Sequence, residues 1–240
     1  MTNRLYVTPL STSSATGRAL LAHKRIAHRL VTLPAGPHGD LLRLAGFSRP
    51  TVPAAEIEGR SLQGTLEISR ALEELHPEPP LFGADPAERE RIERAELWGE
   101  AELQPLPRRI FRYCLLHDPA LRRWVAAEVA GVPAATAELL RPLIGRLAKR
   151  SGAEREAARR DLAALPSLLD HADELIADGT IGAEARNAAD LQIFTSIRVL
   201  LEFDGLARLV AARPCAAAAR RVYPSWIGPI PRSPVLDELN

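Results

Sequence analysis

Short apolar runs alternate with helical patterns at the start of the chain. Residues 4–7 and 28–33 are short β-prone runs, and the residues between them end in a helical pattern that reaches Lys24. Prolines and a glycine at 34–37 interrupt the second run, after which residues 40–45 predict a helical turn or two. The opening of the chain is therefore predicted to fold as strand, helix, strand and short helix.

The stretch from Val52 to Leu75 predicts two further strands and a helix with no spare residues between them. Val52 and Pro53 open an extended run, and residues 58–60 supply the turn of a hairpin. Thr65 precedes an apolar helical pattern, so its hydroxyl is predicted to cap the start of that helix. The complete order, β-α-β-α-β-β-α, predicts a small mixed sheet covered by helices, which is a thioredoxin-like topology.

Almost only helical patterns follow a proline-rich crossing at residues 76–86. We therefore predict an α+β protein with a thioredoxin-like domain over 1–77, a linker over 78–87 and an all-helical domain over 88–240. The second domain is predicted to end in a proline-rich tail that carries Trp226 and packs across the domain.

Asn187 and Asp190 have the spacing of a capping box in the second domain. They stand three residues apart before an apolar helical pattern, so each side chain can accept a hydrogen bond from the backbone amide of the other. The pair predicts the start of a buried helix and a role in folding.

Composition and charge bear on which kinds of partner and site are expected. The 240 residues include 31 Lys and Arg against 30 Asp and Glu, a net charge of +1, which gives no field for nucleic acid or an anionic membrane. No signal peptide and no apolar segment of about 18 residues is visible, so a soluble cytoplasmic protein is expected. Cys114 and Cys215 are expected to be buried free thiols, and the six histidines lack metal-ligand spacing, so no metal is expected.

The hydroxyl-rich loop from Ser11 to Ser14 lies where the first predicted helix begins. Backbone amides at a helix start favour an anion, so a hydroxyl there is well placed to help stabilise a thiolate. The same residues are typical of a helix cap, so a capping and a catalytic interpretation both remain open. The strand edge at Val52 and the helix that Thr65 opens together favour an extended ligand that carries a carboxylate.

The segment from Val52 to Thr65 resembles the glutathione-binding segment of the glutathione transferase superfamily. It has Val-Pro, five residues, Gly, two residues, Leu, one residue and a pair that opens a helix. In that family the Val-Pro peptide is cis and pairs with the cysteinyl backbone of glutathione, and the pair, usually Glu/Gln-Ser, holds the γ-glutamyl end. The resemblance implies these roles for Val52, Pro53, Gly64 and Thr65, with Gly64 standing where the family has an acidic or amide side chain.

The resemblance also implies roles for the residues of the serine loop. Counting back from Lys24-Arg25-Ile26, which is similar to the end of the family's first helix, places Ser11 at the catalytic position of serine-type members. There a serine donates a hydrogen bond to the glutathione sulfur and lowers its pKa. Ser13 and Ser14 are then expected at the thiol site, and because Ser14 stands where cysteine-type members carry Cys, disulfide exchange through an enzyme thiol is not expected.

Arg108, Arg109, Arg112 and Tyr113 form a cationic and aromatic cluster in a helical pattern. In the family the first long helix of the second domain faces the active-site cleft, so the resemblance makes Arg109, Arg112 and Tyr113 candidates to line the acceptor pocket or to meet an acidic substrate. A solvated or subunit-facing basic stripe, with Tyr113 in the core, is the alternative.

The leading hypothesis from the resemblance is a glutathione transferase-like enzyme. It would bind glutathione as co-substrate and activate it as a thiolate for attack on a hydrophobic electrophile, and a homodimer is expected by the same resemblance. A non-catalytic module of the same fold that binds a ligand or a protein is the alternative, which Gly64 favours. Thiol-dependent isomerisation or reductive dehalogenation is a third possibility.

Overall fold

The computed structural model describes residues 2–224 and 228–239, so the predicted place of Trp226 lies outside the described residues. The first domain has the predicted order of strands and helices. It contains β1 (Arg4–Val7), α1 (Thr12–His23), β2 (Arg29–Thr32), α2 (His38–Leu44), β3 (Ala54–Ile57), β4 (Arg60–Gln63) and α3 (Thr65–Leu75).

The four strands form one mixed sheet in the order β2-β1-β3-β4. β1 and β2 are parallel, whereas β1 with β3 and β3 with β4 are antiparallel. Because successive side chains of a strand point to opposite faces, Leu5 and Val7 join the main core and Tyr6 packs with Leu42 and Phe47 in a second cluster. The thioredoxin-like topology predicted from the sequence is confirmed.

The hairpin between β3 and β4 has a two-residue loop at Glu58 and Gly59. Both residues have positive φ, 50° and 83°, as the favoured two-residue hairpin turns require. The predicted turn at residues 58–60 is therefore correct, and its short loop fixes the register in which Ala54 lies opposite Gln63.

The second domain is helical, as predicted. Its helices are α4 (Pro86–Trp98), α5 (Pro105–His117), α6 (Pro119–Trp124), α7 (Arg141–Arg150), α8 (Arg155–Ala177), α9 (Ala188–Glu202), α10 (Ala207–Val210) and α11 (Pro214–Val222). The π-helical turns Gly99–Leu103 and Val125–Val129 extend α4 and α6, and the 3₁₀ helices are Ala134–Leu140 and Pro234–Leu236.

The division between α4 and α5 has two identifiable causes. Pro105 stands in the first turn of α5, where its missing amide hydrogen is tolerated. Gly99 opens the π-helical turn before it, and a Cβ on Gly99 would lie 2.7 Å from Cγ1 of Ile193. The absence of a side chain at Gly99 therefore lets this turn approach α9 closely.

Helix α9 is the centre of the second domain, and most of its residues are buried. Its start is the predicted capping box between Asn187 and Asp190, which is confirmed. The same helix also contacts the first domain, because Oγ1 of Thr16 lies 3.1 Å from Oγ1 of Thr195 and 3.3 Å from the carbonyl oxygen of Leu191. Helix α1, which carries the serine loop at its start, is thus held directly against α9.

The connection between α3 and α4 and the C-terminal tail are both anchored. Leu81 is buried, donates its backbone N–H to Glu73 at 2.9 Å and accepts one from Ala188 at 2.9 Å. In the tail, the carbonyl of Ile230 accepts the backbone N–H of Asp204 at 2.9 Å. The described part of the tail packs on the helical domain, as predicted.

Candidate functional site

The serine loop is built around Ser11, which is the N-cap of α1. Its Oγ accepts the backbone N–H of Ser14 at 3.2 Å, so the capping interpretation is confirmed. Ser11 is only partly buried, as is Ser13, and their hydroxyl oxygens lie 3.0 Å apart. Capping leaves the hydroxyl hydrogen of Ser11 available, so the catalytic interpretation is compatible with the same geometry.

Ser13 links this loop to the edge strand. Its hydroxyl donates to the carbonyl oxygen of Val52 at 3.1 Å. Because Ser13 has one hydroxyl hydrogen, the contact between the two hydroxyls then requires Ser11 as donor and Ser13 as acceptor. The hydroxyl hydrogen of Ser11 is therefore the one that a bound sulfur would have to draw away from Ser13.

Ser14 has a different position from the one predicted. It is 3% exposed, and its Oγ accepts the backbone N–H of Thr8 at 3.2 Å. The side chain lies behind the loop and holds it to the end of β1, so the structure gives it a structural contact and no open surface. Ser11 and Ser13 remain as the candidate thiol contacts of this loop.

The Val52–Pro53 peptide bond is cis, as the resemblance implied. Pro53 packs closely on α1, because a Cβ on Gly17 would lie 2.9 Å from its Cβ. Its carbonyl oxygen accepts the backbone N–H of Gly64 at 2.9 Å. The strand edge at Val52, the start of α1 and the start of α3 therefore meet at one place.

The start of α3 differs from the sequence prediction. The N-cap is Gly64, not Thr65, and no side chain caps the helix, because glycine has none. Thr65 is the first helical residue, 1% exposed, and its hydroxyl has no hydrogen-bond partner in the described part of the chain. Gly64 has φ 98°, a left-handed value that glycine adopts without the steric cost that a Cβ brings.

Arg49 is a site residue that the sequence reasoning missed. Its Nη2 donates to the carbonyl oxygen of Gln63 and to Oε2 of Glu67, the latter at 2.6 Å. The same nitrogen would lie 3.8 Å from a Cβ on Gly64. A cavity of about 350 Å³ beside it is lined by Gly46, Phe47, Ser48, Arg49, Ser61, Gln63 and Glu67. A guanidinium therefore lies beside Gly64, where the family has an acidic or amide side chain.

Glu100 was also missed. It lies in the π-helical turn after α4, and burial raises the pKa of its carboxyl, while Arg108, Thr65 and Arg49 lower it. The Thr65 hydroxyl is thus close to this carboxyl, although the contact does not have the geometry of a hydrogen bond. No local sequence signal marks either Arg49 or Glu100, because each reaches the site through contacts between distant segments.

Two of the three predicted acceptor-pocket residues face elsewhere. Arg109 forms a bidentate ion pair with Asp161 on α8. Its Nε lies 2.6 Å and its Nη2 2.5 Å from the two carboxylate oxygens. Tyr113 is 7% exposed and its ring packs against His117 with centroids 4.6 Å apart. Both side chains hold the second domain together, so for Tyr113 the alternative of a core position is the one observed.

Arg108 and Arg112, which lie one turn apart on α5, have different partners from Arg109. Arg108 donates to Oε1 of Gln104 at 2.5 Å and acts electrostatically on Glu100, next to Thr65. Arg112 donates to the carbonyl oxygen of Leu147 at 3.3 Å and acts on His38, which follows β2. Neither side chain therefore shares the ion pair that Arg109 forms with Asp161.

Other chemistry has little support in the described residues. Within 2–224 and 228–239, no three His, Cys, Asp or Glu side chains are grouped as a metal site, and no helix is long and apolar enough to cross a membrane. Cys114 and Cys215 are free and fully buried, and burial raises the pKa of each thiol to about 12. Neither cysteine is therefore suited to act as a nucleophile.

Comparisons with known proteins agree with this fold. Residues 5–80 match the family model described as glutathione S-transferase, N-terminal domain. No curated protein sequence matches the chain.

Three solved structures illustrate the likeness over nearly the whole length. A glutathione S-transferase from Rhodospirillum rubrum F11 is 21% identical with a TM-score of 0.59, covering 97% of this chain and 96% of its own. FzlA from C. crescentus is 21% identical with a TM-score of 0.57 and covers 100% of both chains. Maleylacetoacetate isomerase from Anaeromyxobacter dehalogenans 2CP-1, with dicarboxyethyl glutathione and citrate in its active site, is 22% identical with a TM-score of 0.51, covering 92% of this chain and 87% of its own. At these identities the likeness establishes the fold.

Proposed function

We propose that this chain is a member of the glutathione S-transferase superfamily that binds glutathione and activates the thiol for attack on an electrophile, as the family-model match over residues 5–80 and the shared fold support. The observation that carries this proposal is the hydrogen bond from Ser13 to the carbonyl of Val52. It holds a pair of accessible hydroxyls beside the cis Val52–Pro53 edge, the place where a peptide-like thiol would pair with the strand.

In this proposal Ser11 is the catalytic residue. The amides at the start of α1 favour negative charge, and the hydroxyl of Ser11 donates a hydrogen bond to the sulfur in place of its contact with Ser13. Both effects lower the pKa of the bound thiol, so more of it is thiolate at neutral pH. The protein positions this thiolate, and the thiolate itself attacks the electrophile.

The remaining thiol contacts are proposed for the strand edge and the start of α3. Val52 and Pro53 would pair with the backbone of the thiol, and the uncapped start of α3 at Gly64 and Thr65 would receive a carboxylate. The electrophile would bind between this edge and α5. Glutathione is supported as co-substrate by the glutathione derivative bound in the isomerase, and a homodimer in the cytoplasm is proposed by family resemblance.

A non-catalytic binding module of the same fold is the second candidate, and Gly64 favours it. The side chain that holds the γ-glutamyl end in the family is missing here, and Arg49 occupies the adjacent space. A thermal shift titration with glutathione and other small thiols separates the two candidates. Ligand at a hundred times its dissociation constant adds about 2.7 kcal/mol of apparent stability. If no thiol shifts the unfolding temperature at millimolar concentration, the binding module is favoured.

The role of Ser11 is tested through the pKa of the bound thiol, measured by thiolate absorbance in the complex. Ser11→Ala should raise this pKa, but it also removes the helix cap. Ser11→Asn keeps a capping side chain and lacks the hydroxyl, so it should raise the thiol pKa at nearly unchanged stability. Ser167→Ala, at an exposed position of α8, is the matched control. A thiol pKa in both Ser11 variants equal to that of the wild type would remove Ser11 from the mechanism.

A further inference from the structure

Arg49 is tied to the start of α3 by two contacts of one nitrogen. Its Nη2 donates to the carbonyl oxygen of Gln63, the last residue of β4, and lies 2.6 Å from Oε2 of Glu67 in the first turn of α3. The same nitrogen would lie 3.8 Å from a Cβ on Gly64. A guanidinium is therefore held beside the position at which the thiol site differs from the family pattern.

The loop that carries Arg49 is fixed by the buried side chain of Gln63. The Oε1 of Gln63 accepts the backbone N–H of Arg49 at 2.9 Å, and its Nε2 donates to the carbonyl oxygens of Arg49 and Thr51, the latter at 3.0 Å. Gln63 is 5% exposed, so these contacts are shielded from water. The guanidinium therefore extends from an anchored backbone segment that leads directly into Val52 and Pro53.

Several hydrogen-bond donors at this place lack an acceptor. Gly64 is the N-cap of α3, so no side chain accepts a hydrogen bond from the first amides of the helix. The hydroxyl of Thr65, which is 1% exposed, has no partner in the part of the chain that the structure describes. Among the same residues, Nε and Nη1 of Arg49 also have none, because both of its hydrogen bonds use Nη2. Free amides, a buried hydroxyl and a guanidinium together favour an anion.

Acceptors for a positively charged group are fewer. Gly64 supplies no side-chain oxygen, and an ammonium group brought to Glu67 would compete with Arg49 for its carboxylate. Glu100, the other acid near Thr65, is partly buried, and burial raises the pKa of its carboxyl. The positive end of the helix dipole also disfavours a cation. The start of α3 is therefore better suited to the carboxylate of an amino acid than to its ammonium group.

We propose that Arg49 and the start of α3 recognise a carboxylate that has no ammonium group beside it, so that the thiol co-substrate is a peptide-like thiol with a simple acidic end. In the family the side chain at the place of Gly64 helps to hold the γ-glutamyl end of glutathione. Here Arg49 is the specificity-determining residue instead. The inference rests on the proposed function and narrows the thiol: glutathione fits through its carboxylate and its cysteinyl backbone, and its α-ammonium group adds no affinity.

Three thiols that differ only at this end test the proposal, with binding measured by calorimetry. Glutathione has both groups, glutaryl-cysteinyl-glycine lacks the α-ammonium group, and 4-aminobutanoyl-cysteinyl-glycine lacks the α-carboxylate. The wild type should bind the glutaryl thiol at least as tightly as glutathione. It should bind the aminobutanoyl thiol about 10- to 100-fold more weakly, because the charge-assisted hydrogen bonds to the carboxylate are lost.

Variants at the two positions separate recognition from stability. Arg49→Gln should weaken binding of both carboxylate thiols by about 10-fold and change that of the aminobutanoyl thiol by less than about two-fold. Arg49→Lys keeps the charge and should recover part of the loss. Arg43→Gln, an exposed arginine of α2 that is paired with Asp40, is the matched control and should alter none of the three affinities. Gly64→Gln supplies an acceptor and should raise the preference for glutathione over the glutaryl thiol several-fold, a ratio that backbone strain does not change.

The outcomes distinguish this inference from the proposed function. If the wild type binds glutathione about ten-fold more tightly than the glutaryl thiol, the ammonium group is recognised and the inference is wrong, while thiol binding stands. Loss of that preference in Glu100→Gln would then assign the ammonium group to Glu100. Unchanged affinities in Arg49→Gln would remove Arg49 from the site. The expected preference without attack on a model electrophile would uphold the anion subsite and overturn the transferase function. If none of the three thiols binds at millimolar concentration, both proposals are wrong.

Discussion

Asp190 accepts the backbone N–H of Asn187 at 2.9 Å, and Asn187 accepts the backbone N–H of Asp190 at 3.0 Å. The second carboxylate oxygen of Asp190 accepts the backbone N–H of Gly182 at 2.6 Å. Asp190 therefore satisfies two backbone amides with one buried side chain. Since α9 packs on α1, this pair fixes the helix against which the first domain is built.

Asp190→Ala should lower the free energy of unfolding by about 1–3 kcal/mol, because a cap is lost and two amides lose their acceptor. Chemical denaturation gives this value directly. Asp204→Ala, at an exposed position just after α9, is the control and should change stability by less than about 0.5 kcal/mol. Thiol affinity of the folded protein should be unchanged, and equal denaturation midpoints for Asp190→Ala and the wild type would contradict the role of the box.

Arg109→Ala should destabilise the protein without changing its reaction. The variant removes both hydrogen bonds to Asp161, whose side chain is 10% exposed, so we expect a loss of about 1–3 kcal/mol. Arg159→Ala on the exposed side of α8 should cost much less. A fall of about ten-fold or more in kcat/KM for the electrophile, with unchanged stability, would show that Arg109 belongs to the acceptor site.

The backbone of the first domain could be predicted because its signals are local. Val52 and Pro53, the turn at Glu58 and Gly59, and the capping box at Asn187 each depend on residues within a few positions of one another. The helical second domain followed from periodicity in the same way. These features needed no knowledge of which distant segments meet.

The side-chain part of the site could not be predicted in this way. Which of three neighbouring arginines forms an ion pair depends on the position of Asp161, 52 residues from Arg109. Gly64 shows the same limit, because its positive φ and the nearby guanidinium of Arg49 become visible only when two loops are brought together. The departure from the family at Gly64 is thus a change in backbone freedom and in local charge as well as a lost side chain.

Gly64→Glu tests whether the missing side chain limits glutathione binding. A non-glycine residue at φ 98° should cost about 1–3 kcal/mol, and the new carboxylate would lie near Nη2 of Arg49. We expect Gly64→Ala to show the backbone cost alone, and Gly64→Glu to bind glutathione several-fold more tightly, measured by calorimetry. Gly179→Ala, at another left-handed glycine with open space around it, controls for strain remote from the site. Weaker binding by Gly64→Glu than by Gly64→Ala would show that Arg49 has taken over this subsite.

The pKa of His38 reports the electrostatic effect of Arg112 on the loop after β2. His38 is partly buried, and its Nδ1 accepts the backbone N–H of Gly36 at 3.1 Å, a contact that only the neutral ring can make. Burial first, then Arg112 and Arg150, lower its pKa below the ordinary 6.5, and Asp40 raises it. The folded state then binds fewer protons than the unfolded state between the lowered pKa and 6.5. The stability from neutral His38 is therefore fully present above pH 6.5 and is lost as the pH falls through this window.

Titration of His38 by NMR should give a pKa below 6.5 in the wild type and a higher one in Arg112→Gln, because a neighbouring positive charge is removed. Arg150→Gln should raise the pKa less, and Asp40→Asn should lower it further. Arg159→Gln is the matched control and should leave it unchanged. If Arg112→Gln and the wild type titrate together, Arg112 does not reach the loop after β2.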